Sequence, residues 1–278
     1  MNVAYYPGCS LHGTAREYGE STEEMTKLFG IKLHELKDWN CCGASSAHMT
    51  NDELAFSLAA RNVQIADKTG LDLVVPCAAC FQRLKRAEKR LLAGDVPAGL
   101  PGKYSGDHRI KYLVDFMWDE IGEKAFRARV KKPLAGLKPV CYYGCLASRP
   151  PQITDCKNPE NPQAMDKLVG SLGAQVRDWS FKTDCCGGNL NFTRPEAAEH
   201  LVRKLIDMAR EAGANCIVTG CPLCQANLDM KQGKDHRSAL PVFYFTELIG
   251  LALGEPVGKW LRGHVIDPRP LLREIKLA

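Results

Sequence analysis

A chain of 278 residues, 45% hydrophobic and 25% charged, has an ordinary globular composition. It is long enough for one large domain or two of about 100–150 residues. The formal charge of +5 is mild and no Lys/Arg run concentrates it, so nucleic-acid binding is not indicated. An anionic substrate or acidic partner suits that charge better.

The first residues, Met1-Asn2-Val3-Ala4-Tyr5-Tyr6, lack a basic flank and an apolar run, so no signal peptide is read there. The longest apolar stretch, residues 242–253, is interrupted by Glu247 and falls short of the roughly 20 residues that cross a bilayer. The expectation is a cytoplasmic protein with no transmembrane segment. Thirteen cysteines in that setting, an odd number, point to metal or redox chemistry rather than structural disulfides.

Residues 3–6 read as a short strand entering the turn Pro7-Gly8-Cys9. Met25, Leu28 and Phe29 mark one helix face, and Gly30 stops it. Residues 31–36 form a second strand leading to Trp39-Asn40-Cys41-Cys42-Gly43. Thr50-x-x-Glu53 has the form of a capping box, and the helix behind it ends at Gly70. Residues 71–75 are a strand, and Cys77-Ala78-Ala79-Cys80 opens a helix with a basic face from Arg83 to Arg90. Glycines and prolines make 94–110 a loop, a helix follows around 116–126, and 131–139 is the boundary between halves.

The second half repeats the plan. Residues 140–143 are a strand entering Gly144-Cys145. Asn161-Pro162 looks like a helix start, and the helix ends near Gly173. Residues 174–179 are a strand leading to Cys185-Cys186-Gly187-Gly188. Thr193-x-x-Glu196 is a second capping box, Gly213 ends the helix behind it, and 214–218 is a strand before Cys221. Alternating strands and helices imply α/β units with parallel sheets, in two domains, 1–132 and 133–278. Ligands in such sheets sit beyond the carboxyl ends of the strands, where every repeated cysteine falls.

Thirty-five positions separate Cys42 from Cys77, and the same thirty-five separate Cys186 from Cys221. Each half thus offers five aligned thiols: Cys9, Cys41, Cys42, Cys77 and Cys80, then Cys145, Cys185, Cys186, Cys221 and Cys224. Zinc takes four ligands and a cubane iron–sulfur cluster takes four cysteines, so a fifth thiolate suggests a cluster of unusual shape. Five unpaired thiolates would repel one another and raise their pKa values; metal removes that cost.

The pattern Cys…Cys-Cys-Gly…Cys-x-x-Cys, present twice, resembles the cysteine-rich CCG domain of the heterodisulfide reductase B-subunit family. Cys141-Tyr142-Tyr143-Gly144-Cys145 and Asn158-Pro159-Glu160-Asn161-Pro162-Gln163 are similar to that family's C-terminal half. Ala44-Ser45, where the second copy has Gly188, is a minor departure that touches no ligand. The resemblance implies two Rossmann-like CCG domains, each with a small parallel sheet flanked by helices. It implies one noncubane [4Fe-4S] cluster per half, held by the ten cysteines, and a disulfide oxidoreductase that cleaves its substrate between them or oxidises thiols in reverse. It also implies partners: a protein like the family's C subunit with cubane [4Fe-4S] clusters, a flavin-bearing protein like its A subunit, and a small-molecule disulfide or thiol. An electron-transfer component without a disulfide substrate, or a part of a sulfur-oxidation complex, is the alternative.

Plainer readings exist for each feature. The motifs could be structural zinc sites, with zinc in one half as a variant, or Cys-x-x-Cys dithiols at helix starts. Cys141 and Cys216 read as small buried apolar residues, and nothing selects Cys156. His12 and His48 are candidate proton donors near ligand cysteines, although a surface or outer-shell histidine is the better reading. Trp39 and Trp179 read as packing under the cysteine loops. Arg149, Lys182 and Arg194 could bind an anionic substrate group and the basic face from Arg83 to Arg90 could dock a partner, but solvated charge is the better reading of both. No Walker lysine motif and no Gly-x-Gly-x-x-Gly appears, so electrons are expected from a partner rather than a nicotinamide.

Overall fold

The structure is a computed structural model that describes residues 1–44, 46–100, 104–232 and 239–277. Ser45 and residues 101–103 of the expected 94–110 loop lie outside the described residues. In the first half the chain runs β1 (Asn2–Tyr5), α1 (Gly8–His12), α2 (Arg16–Leu28), β2 (Lys32–Glu35), α3 (Ala47–Thr50), α4 (Asp52–Asp67), β3 (Leu73–Val75), α5 (Ala78–Leu92), β4 (Ile110–Tyr112) and α6 (Leu113–Arg129). The second half continues with β5 (Pro139–Tyr142), α7 (Cys145–Ser148), α8 (Pro151–Thr154), α9 (Ala164–Ser171), a 3₁₀ turn at Gly188–Leu190, α10 (Pro195–Glu211), β6 (Cys216–Thr219), α11 (Pro222–Met230), β7 (Val242–Tyr244), α12 (Phe245–Leu253), a 3₁₀ stretch at Val257–Gly263 and α13 (Arg269–Glu274).

Two parallel sheets result, one of order β2-β1-β3-β4 and one of order β5-β6-β7. Their central strands are short, β-branched and buried on both faces, as helix-covered parallel strands must be: Leu73, Val74 and Val75 have no exposed surface, nor do Ile217 and Val218. The α/β expectation therefore holds, with a parallel sheet flanked by helices in each half.

One hydrophobic cluster runs through both halves. At the seam, the Tyr18 and Tyr244 rings stack with centroids 4.2 Å apart, and Ser21 and Thr246 share a hydrogen bond of 2.7 Å. Aromatic side chains buried this deeply contribute of order 3–5 kcal/mol each, judged by truncation. Asp155 adds ion pairs to Lys85 at 2.8 Å and Lys89 at 2.6 Å on α5.

Several local expectations change. Residues 174–179 pair with β5 at one bridge only, Val140 with Arg177. Gln175 N–H donates to Leu137 O and Arg177 N–H to Pro139 O, but the next rung is supplied by the Trp179 indole, which donates to Cys141 O at 3.0 Å. The cap of α4 is Asn51, whose side chain accepts from Leu54 N–H at 2.9 Å. Thr50 instead turns its hydroxyl back on the carbonyls of α3. Arg194, not Thr193, precedes α10, with Pro195 in its first turn. Helix α9 starts after Gln163 rather than at Pro162, because the Tyr143 hydroxyl accepts from Met165 N–H at 2.8 Å and satisfies its first turn.

Two charge readings are also corrected. Lys182 is buried rather than solvated, paired with Asp166 at 2.8 Å. The basic face of α5 is partly sequestered: Lys85 is buried against Glu88, and Arg90 lies 3.5 Å over the Phe56 ring.

Candidate metal centre

All ten repeated cysteines lie on loops or first helical turns just beyond the carboxyl ends of β1, β2, β3, β5 and β6, or beyond the 174–179 segment. The parallel topology therefore gathers three loops of each half at one edge. In each half the same positions are buried: Cys42, Cys77 and Cys80 are 2–5% exposed, and Cys186, Cys221 and Cys224 are 2–9% exposed. Cys9 and Cys41 form an outer pair, as do Cys145 and Cys185.

Thiol–thiol hydrogen bonds string the first set together, from Cys9 to Cys41, Cys42, Cys80 and Cys77. Cys42 and Cys80 are 3.3 Å apart. In the second set, Cys145 bonds Cys185, and Cys186 bonds Cys224, which bonds Cys221. The sets meet where Cys77 hydrogen-bonds Cys221 across the seam.

This sharing splits the acidities. Hydrogen bonds from Cys42 and Cys9 hold the Cys41 thiol far below the usual thiol range. The bond from Cys145 brings Cys185 to about 6. The donors move the other way: the hydrogen bond to Cys41 pushes Cys9 up, and the one to Cys185 pushes Cys145 up. Thiolate, the ligand form of cysteine, is thus favoured at one outer position of each set, and hydrogen bonds from Cys224 favour it also at Cys186 and Cys221.

The backbone around both sets is matched. Tyr6 OH donates to Asn40 O at 2.8 Å and Tyr142 OH to Asp184 O at 2.6 Å, fixing the residue before each Cys-Cys pair. Gly8 and Gly144, at φ +73° and +69°, precede Cys9 and Cys145. A Cβ there would stand 3.0 Å from Cys80 Sγ or 2.9 Å from Cys224 Sγ. Both glycines are thus required by close approach to a buried sulfur as well as by backbone conformation. The Tyr18 hydroxyl lies between the two turns, 2.8 Å from Gly220 O and 3.4 Å from Pro76 O, the carbonyls just before Cys221 and Cys77.

The donor set fits an iron–sulfur cluster. All five thiols of the second half line one cavity of about 30 Å³, closed from the first half by Ala78 and Ala79. Yet among the described residues no three His, Cys, Asp or Glu side chains converge as ligands of one metal ion. A tetrahedral zinc site needs four ligands about one point. A multi-iron cluster meets its thiolates at different metals, which suits five sulfurs spread around a space.

The remaining candidates are placed as follows. Cys141 and Cys216 are fully buried in β5 and β6, as expected, and Cys156 is half-buried behind α8. His12 is exposed near Cys9, 3.0 Å from Glu35 and stacked on Trp39. His48 keeps a buried Nδ1 without a partner among the described residues. Trp179 is 8% exposed and Trp39 partly buried, consistent with packing beside the cysteine loops. Arg149 pairs with Glu160. The sequence placed Gly8, Tyr142 and Gly144 in motifs beside the cysteines but not their roles there, and gave no role to Tyr6 or Tyr18. A Tyr three positions before Cys9 and Cys145, with Gly directly before each, was the available signal.

The family model described as "Cysteine-rich domain" (CCG) matches residues 3–85 and again 140–229. The chain is 33% identical to the membrane anchor subunit of the 8-methylmenaquinol:fumarate reductase of Wolinella succinogenes, over 96% of this chain and 98% of that one. It is 28% identical to the B subunit of the ferredoxin/F(420)H(2)-dependent CoB-CoM heterodisulfide reductase of Methanosarcina acetivorans, over 84% of each. It is 26% identical to a protein of Archaeoglobus profundus described as like the heterodisulfide reductase B subunit, over 97% and 96%. The crystal structure of a hypothetical protein from Helicobacter pylori matches with TM-score 0.72 at 13% identity, covering 96% of this chain and 52% of that one. That likeness is one of fold, and the present chain spans about half of that structure. With one copy of the cysteine-rich domain in each half and this kinship along nearly its whole length, the chain belongs to the CCG family, of the heterodisulfide reductase B-subunit type.

Proposed function

We propose that this chain is the iron–sulfur subunit of a multisubunit oxidoreductase, with one noncubane [4Fe-4S] cluster in each half, in which a disulfide is cleaved reductively between the two. The observation that carries the reading is the pair of five-thiol sets joined at Cys77 and Cys221. The ligands are the ten cysteines: Cys9, Cys41, Cys42, Cys77 and Cys80, and Cys145, Cys185, Cys186, Cys221 and Cys224. When bound, two such clusters supply one electron each, the requirement for turning one S–S bond into two thiolates. The electrons come from a partner like the family's C subunit, with cubane clusters, fed by a flavin-bearing protein like its A subunit.

The protein's own residues do the rest. Tyr6, Tyr142 and Tyr18 hold the ligand loops in register. Leu146 and Leu223 line the second thiol cavity and limit water there. His12 and His48 stand as proton donors to the departing thiolates at the first set. The domains divide at 132/133, and the chain works in the cytoplasm.

One finding favours a second reading. The 33% identical relative is named as the membrane anchor of a menaquinol:fumarate reductase, and no described helix is long and apolar enough to cross a membrane. On that reading the same two clusters relay electrons without a disulfide substrate.

Metal analysis of anaerobically prepared protein is the primary test, with about eight irons per chain expected from two four-iron clusters. Zinc near stoichiometry with no iron would falsify the cluster reading. An EPR signal elicited by a thiol under oxidising conditions supports disulfide chemistry. Electron relay without such a signal favours the second reading.

A further inference from the structure

Tyr112 ends β4 with 2% of its surface exposed. Its hydroxyl has no hydrogen-bond partner among the described residues. A buried hydroxyl left in that state costs about 1–3 kcal/mol, and phenylalanine would fill the same space without the cost. The hydroxyl is pressed against the turn before Cys221. A Cβ on Gly220 would stand 2.8 Å from Tyr112 Oη and 2.5 Å from Val114 Cγ2, which leaves room only for glycine. Gly220 carries the chain directly into Cys221, and burial first, then Tyr18 and the Cys221, Cys224 and Cys77 thiols, hold the phenol's pKa well above its usual value.

Tyr244 ends β7 at the equivalent place in the second half. Its hydroxyl donates to Gln225 Oε1 at 3.4 Å and its ring stacks on Tyr18. Of two matched tyrosines, one is satisfied by protein and the other abuts the turn that carries Cys221, without a partner among the described residues.

We propose that Tyr112 donates its O–H to sulfur of the second-half cluster beside Cys221 and thereby raises the reduction potential of that centre. A donor to sulfur stabilises the extra negative charge of the reduced form. Tyr112 acts as a positioning residue, and neither its proton nor an electron leaves it. The inference rests on the reading that both thiol sets hold iron–sulfur clusters.

Iron and acid-labile sulfide are measured first on anaerobic holoprotein, and their absence ends that underlying reading. With clusters present, Tyr112→Phe is titrated potentiometrically by EPR. The midpoint falls so that the reduced fraction at fixed potential drops about tenfold, or about 59 mV for a one-electron centre. A deuteron coupled to the centre in D₂O-exchanged protein disappears from the ENDOR spectrum. Tyr244→Phe leaves the midpoint in place. Metal-free Tyr112→Phe melts no lower than the parent, because no protein hydrogen bond is lost, whereas removing a bonded structural hydroxyl would lower the melting temperature. 3-Fluorotyrosine at position 112, a stronger donor of nearly the same shape, moves the midpoint upward and decides the matter if the Phe variant loses iron. An unchanged midpoint in iron-replete 3-fluorotyrosine protein overturns the inference.

Discussion

Replacing Gly144 by alanine tests whether the glycine cradles exist for sulfur. Two costs follow from its geometry. At φ +69° any Cβ meets the strain of the left-handed region, about 1–2 kcal/mol. For a chain of this size that lowers the melting temperature by about 2–8 °C. The new methyl would also stand 2.9 Å from Cys224 Sγ. Ordinary contacts between such atoms are about 3.5–4.0 Å, so the sulfur must retreat by roughly 0.6–1 Å. Metal–ligand distances tolerate only about 0.2 Å. Gly70→Ala is the control: its φ is +64° and nothing lies within 4 Å of the added carbon. Both variants should melt lower by similar amounts when metal-free. After anaerobic reconstitution, iron and acid-labile sulfide per chain should fall by about half in Gly144→Ala and stay full in Gly70→Ala. Full iron in Gly144→Ala, with Cys224 intact, refutes the reasoning. Gly8→Ala repeats the test for the first half through Cys80, at 3.0 Å.

Other consequences can be measured directly. His264 meets Glu247 at 2.9 Å with both side chains fully buried. Burial alone would depress its pKa, but Glu247, and beyond it Asp229 and Glu17, lift it to about 9. The unfolded value is about 6.5, so the contribution is complete below about pH 6.5 and is lost as pH rises through 9, some 3 kcal/mol in all. Urea unfolding at pH 7 and pH 10 should show that loss, and a His264→Gln variant with the same pH slope would contradict it. Lys182 is buried against Asp166, and its carbonyl accepts from Tyr143 N–H and Gly144 N–H at the second cysteine set. Lys182→Met leaves the part-buried Asp166 carboxylate with the Tyr143 hydroxyl but no cation and should cost about 3 kcal/mol, most of which returns in Lys182→Met/Asp166→Asn. A single variant within about 1 kcal/mol of the parent in denaturant titration removes Lys182 from the loop's support.

The strand–helix alternation and the ten clustered thiols were legible because both obey local rules: short apolar runs, glycine stops, and a spacing copied twice. What escaped depends on distance across the fold. Tyr18 lies on α2, far in sequence from Gly220, and its partner is a backbone carbonyl, which no residue pattern announces. The burial of Lys182 follows from Asp166, sixteen positions earlier, and from the Tyr143–Gly144 backbone bonded to its carbonyl, more than from its exposed neighbour Asp178. Residues 174–179 carry a strand-like pattern, yet the Trp179 indole takes the rung a backbone amide would have filled. The capping boxes failed similarly: in one half Asn51 reached the first turn in place of Thr50, and in the other Pro195 took the helix's first turn.

The hydroxyl of Tyr18, set between the carbonyls of Pro76 and Gly220, works as a rivet through both sulfur-bearing turns. One phenolic proton is shared between them, the Gly220 carbonyl taking the shorter bond, so a displacement of either turn changes how that proton is divided.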